Sequence, residues 1–85
     1  MARLANLLVV GADAQRLDTL AGSLDRGGYA VRTAPGYQAA LEAVEQEVPD
    51  VLITTQVLDS HDGLALAREL RAGHTAANVP IFLIA

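Results

Sequence analysis

The amino-acid sequence predicts an α/β fold built on a parallel sheet, on three observations. Short apolar runs alternate along the chain with stretches whose apolar residues recur at helical spacing. Two of the runs, Leu7-Leu8-Val9-Val10 and Val51-Leu52-Ile53-Thr54, show almost no polar alternation, as expected of strands covered on both faces. Glycine or proline punctuates the junctions, at Gly27-Gly28, Pro35-Gly36, Pro49, Gly63 and Pro80.

The first strand is expected over 7–10, ending at Gly11. Asp13 then suits a helix N-cap, because its carboxylate can accept from the free amides of a first turn. Leu17, Leu20, Ala21 and Leu24 form one apolar stripe of that helix, and Gly27-Gly28 stops it. A second strand over 29–34 alternates in character, which suits a sheet edge, and Pro35-Gly36 turns the chain. The second helix is expected over 38–46 with Ala40, Leu41 and Val44 inward. The third strand, over 51–54, is expected to be buried on both faces, with Thr54 pointing into the core. A loop over 55–62 leads to a third helix marked by Leu64, Ala67 and Leu70 and reaching about residue 71. After a polar connection, Pro80-Ile81-Phe82-Leu83-Ile84-Ala85 reads as a fourth strand.

The order β-α-β-α-β-α-β implies helices on both sheet faces and right-handed crossovers. The expected strand order is 2-1-3-4, the flavodoxin-like arrangement. Strand 4 would then be an apolar edge with no charge or helix to protect it. The expectation is that a further strand and helix follow residue 85; the alternative is an edge that pairs with another chain.

At 85 residues there is room for one domain, and 52% hydrophobic residues can supply its core. The formal charge of −4, with every basic residue an arginine and no basic stripe, argues against nucleic-acid binding. The apolar run at 7–10 is too short for a signal-peptide core or a membrane span, so a cytoplasmic location is expected. With no cysteine, disulfides and thiolate metal sites are excluded. Gly11 after a strand could open a dinucleotide-binding turn, but Asp13 and Arg16 stand where that fingerprint needs glycine, and Asp13 would repel a pyrophosphate. No Ser-His-Asp or Cys-His arrangement and no G-x-S-x-G elbow stands out, so no enzyme is expected.

Several segments together resemble the CheY-like receiver domain of bacterial response regulators. They are Leu7-Leu8-Val9-Val10, the run from Gly28 to Ala34 (GYAVRTA), Gln38-Ala39-Ala40-Leu41, Pro49-Asp50-Val51-Leu52-Ile53, Asp62-Gly63, Leu70-Arg71 and Val79-Pro80-Ile81. None is specific alone; their order and spacing are. The resemblance spans nearly the whole of 1–85, as a single receiver-like domain short of its last strand and helix. It implies a role in two-component phosphorelay signalling, with a sensor kinase, an attached output domain or a second copy as partner.

The resemblance also locates the family's chemistry, and here the chain departs from it. The acidic pair that holds Mg²⁺ after strand 1 corresponds to Gly11 and Ala12. The phosphate-accepting aspartate ending strand 3 corresponds to Thr55, and the switch Thr or Ser ending strand 4 to Ala85. The lysine ending strand 5 falls beyond residue 85. A hard divalent cation wants carboxylate and carbonyl oxygens, which Gly11 and Ala12 do not carry on side chains. Thr55 offers a neutral hydroxyl in place of an ionised nucleophile. The implied protein is a degenerate pseudo-receiver that binds partners without accepting phosphate and without Mg²⁺ or another cofactor. Two alternatives remain: an active receiver whose acids have moved to Asp13 and Asp59, and a small-ligand or nucleotide-binding module. For Asp13 the plainer role is the helix cap; for Asp59 and Asp62, solvation or capping of the next helix. His61 and His74 match no metal-ligand spacing.

Overall fold

The computed structural model describes residues 5–55, 63–73 and 78–84. Four strands, β1 (Asn6–Val10), β2 (Ala30–Ala34), β3 (Val51–Thr55) and β4 (Ile81–Ile84), form one parallel sheet in the order β2-β1-β3-β4. Helices α1 (Ala14–Arg26), α2 (Tyr37–Gln46) and α3 (Gly63–Ala72) connect them. The expected topology is the observed one.

Register decides which residues share a face. Leu8 lies beside Arg32 and Leu52, and Val10 beside Ala34 and Thr54. This face meets α2 and α3: Leu8, Val10, Ala34 and Leu52 pack with Ala40, Val44, Leu66 and Leu70 in one buried cluster. Leu41 packs against its margin. Thr54 is fully buried on the same face, as expected, and its hydroxyl donates to the Thr55 carbonyl at 3.1 Å. The opposite face carries Leu7 and Val9 on β1, both buried, and α1 packs over β1 and β2.

One expectation needs correction, and the packing of two helix faces is now defined. Strand β3 is not buried on both faces: Leu52 and Thr54 are buried, whereas Val51, Ile53 and Thr55 stay half-exposed. Among the described residues α1 packs chiefly over the β1–β2 half of that face, so the β3–β4 half is left open and Phe82 is 57% exposed. In α1 only Leu17 of the apolar stripe is buried; Leu20, Ala21 and Leu24 are half-buried for the same reason. In α3 the inward residues are Gly63, Leu66 and Leu70, while Leu64 is exposed.

The rotation of α3 has a local cause. A Cβ built on Gly63 would lie 2.4 Å from the Thr55 carbonyl oxygen and 2.9 Å from Leu83 Cδ2. Glycine therefore lets the helix start against the end of β3, and Leu66 and Leu70 follow at the three- and four-residue spacing of one face. The stop after α1 is divided between two glycines. Gly27 keeps a right-handed conformation (φ −77°), and Gly28 takes the left-handed one (φ 97°) that disfavours a side chain.

Two polar ties fasten the periphery. At the start of the sheet the Asn6 N–H donates to Asp50 Oδ2 at 2.8 Å, and the Asp50 N–H donates to the Asn6 carbonyl at 2.7 Å. The side chain of Asn6 donates to Glu47. At the C-terminal end of α2, which has no basic residue in its last turn, Arg32 reaches across from β2. Its Nη1 donates to the Ala43 carbonyl at 2.9 Å and its Nη2 to the Glu47 carbonyl. A cation thus meets the end of the helix, adding a second donor to the Ala43 carbonyl, which also accepts from the Glu47 N–H at 3.1 Å, and one donor to the Glu47 carbonyl.

Gly63→Ala is expected to lower unfolding stability by about 2 kcal/mol, because backbone at Thr55 must move. Gly22→Ala, in open space within α1, should raise it by about 0.5 kcal/mol. Urea denaturation of both variants tests the pair. Arg32→Met keeps an apolar stem but loses the clamp. It should cost about 1 kcal/mol in the same assay, and an unchanged midpoint would show the clamp to be idle.

Candidate functional site

In an open parallel sheet the chain reverses at the C-terminal ends of the strands, and side chains from several loops converge there. Here β1 delivers Gly11 and Ala12 to that crest, β3 delivers Thr55, and β4 delivers Ile84. Strand parity puts Gly11, Thr55 and Ile84 on the α1 face, and α1 adds Arg16, Leu17 and Leu20 as a wall. Together they bound a depression of about 400 Å³.

Gly11 is buried, and its N–H donates to the Ala34 carbonyl at 3.1 Å, continuing the β1–β2 ladder. A Cβ on Gly11 would sit 3.4 Å from Thr55 Cγ2, 3.7 Å from Thr55 Oγ1 and 3.7 Å from Leu17 Cδ1. These are ordinary contact distances, so the two loops meet closely, and it is residue type, not lack of room, that leaves position 11 without a side chain. Ala12 is exposed beside it.

Asp13 is the one acid among the described residues that line the depression. Its backbone is extended (φ −89°, ψ 106°), and its Oδ1 accepts from the N–H groups of Gln15 at 3.1 Å and Arg16 at 3.3 Å. That is the N-cap geometry expected from sequence, with the carboxylate turned onto the first turn of α1. Among the described residues no group of three or more His, Cys, Asp or Glu side chains is placed to hold a metal ion. Asp59, His61, Asp62, His74 and Ala85 lie outside the described residues.

The sequence pattern of the response regulator receiver domain matches residues 7–85. The chain belongs to that family. Among relatives of this receiver domain, the response regulator MprA of Mycobacterium ulcerans is 33% identical over 78 residues, covering 92% of this chain and 33% of that protein. The alkaline phosphatase synthesis transcriptional regulatory protein PhoP of Bacillus subtilis is 34% identical over 65 residues, 76% of this chain and 27% of that protein. The chain thus spans about a third of the length of the curated relatives it matches. Among solved structures, the N-terminal domain of a response regulator receiver protein from Methanoculleus marisnigri JR1 superposes with a TM-score of 0.92. It covers 96% of this chain and 67% of that one, and at 24% identity it speaks for the fold alone.

The family implies a divalent cation at this crest, and the described residues there do not fit one. Gly11 and Ala12 have no side-chain oxygen, Thr55 contributes a neutral hydroxyl, and the Asp13 carboxylate is engaged by the helix amides. The site residues named from the resemblance that fall among the described residues are therefore brought together, but with neutral chemistry. Sequence reading missed the roles of Leu17, Leu20 and Gly63. The first two were legible only as core stripe, and the third as a helix start; only the register shows that they border the crest. No helix among the described residues is long and apolar enough to cross a membrane.

Asp13→Ala is expected to lower stability by about 1 kcal/mol through loss of the cap, whereas Asp13→Asn should stay near wild type. Thermal melts with and without magnesium chloride test whether that is all the residue does. Equal shifts in both conditions fit a cap, and a magnesium-dependent rise that vanishes in Asp13→Asn would make it a ligand.

Proposed function

We propose that this receiver domain works in two-component signalling as a phosphorylation-independent binding module. One observation carries the reading: the crest of the sheet brings Gly11 against Thr55, so a hydrogen atom and an alcohol meet where phosphoryl transfer would need carboxylates. Phosphoryl transfer to this crest needs a nucleophilic carboxylate and a cation-holding acid pair, and positions 55, 11 and 12 supply neither, although Arg16 stands in the wall of the depression. Asp13, which caps α1, is the one carboxylate among the described residues that line the depression.

A receiver that accepts phosphate is shifted between conformations by that ligand. Without it, a partner must supply the differential affinity that selects one conformation. The partners we assign are signalling proteins: a sensor kinase, an output domain on the same polypeptide, or a second copy of the domain, all in the cytoplasm. The module is non-enzymatic in this reading, and its acidic surface argues against direct nucleic-acid contact.

Incubation with acetyl phosphate and Mg²⁺, followed by intact mass measurement, is the decisive experiment. No adduct is expected. A base-labile gain of roughly 80 Da, the mass of one phosphoryl group, would overturn the proposal. Its disappearance in Asp59→Asn would assign the chemistry to a relocated acceptor.

A further inference from the structure

We draw no further inference here: the strongest candidate, the outer rim of the sheet at β4, where Phe82 and Leu83 stand exposed on opposite faces of a strand paired only with β3 among the described residues, is an unpartnered apolar surface, and nothing in the structure shows what covers it.

Discussion

Strand β1 is paired along both edges, with β2 and with β3, and Leu7, Leu8, Val9 and Val10 are buried. This double constraint governs the rest of the molecule. Because both neighbours run parallel to β1, the connections from β1 to β2 and from β2 to β3 must cross a sheet face, and these crossings are the helices α1 and α2, which pack on opposite sides of β1. Because register with both neighbours is fixed, the residue that follows β1 is delivered to one place, beside the end of β3. A slip of one residue would turn Leu8 and Val10 away from α2 and α3 and send the whole core pattern to the wrong face. The position of Gly11 against Thr55 is therefore a property of the sheet and not of the loop that carries it.

That distinction explains how a family site can keep its shape while its chemistry changes. The backbone at the crest is held by the β1–β2 ladder, by the cap at Asp13 and by the approach of α3 to the Thr55 carbonyl. None of these ties uses a side chain at positions 11, 12 or 55. The side chains at positions 11, 12 and 55 are therefore free to differ without disturbing these ties. The same independence makes fold similarity silent about activity: a strong superposition reports the sheet, and the residues on its crest have to be read one by one.

The legible part of the fold was the part written in periodicity. Uniform apolar runs gave β1 and β3, the Asp13 cap and the glycine pair bounded α1, and the alternation gave the parallel order. What escaped were features that depend on who covers whom. Ile53 and Phe82 look like core residues in any short window, and Ile53 is half-exposed and Phe82 exposed because, among the described residues, α1 covers chiefly β1 and β2 on that face. Leu64 and Leu66 are equally apolar, and the choice between them is made by Gly63, whose contact with Thr55 is remote in sequence terms. Arg32 reads as an ordinary polar residue of an edge strand, and its partners are carbonyls eleven and fifteen residues on. The site was legible through resemblance, since neutral residues announce no chemistry of their own.

The clamp at Arg32 ties a sheet edge to the far end of the helix that follows it. An edge strand ordinarily frays alone, since only one ladder holds it. Here peeling β2 away from β1 also removes the guanidinium from the carbonyls of Ala43 and Glu47, leaving Ala43 with the Glu47 N–H alone, so the opening of the strand is coupled to the helix end. Amide exchange along β2 and through the last turn of α2 would then share one opening free energy, making this corner a cooperative unit in its own right.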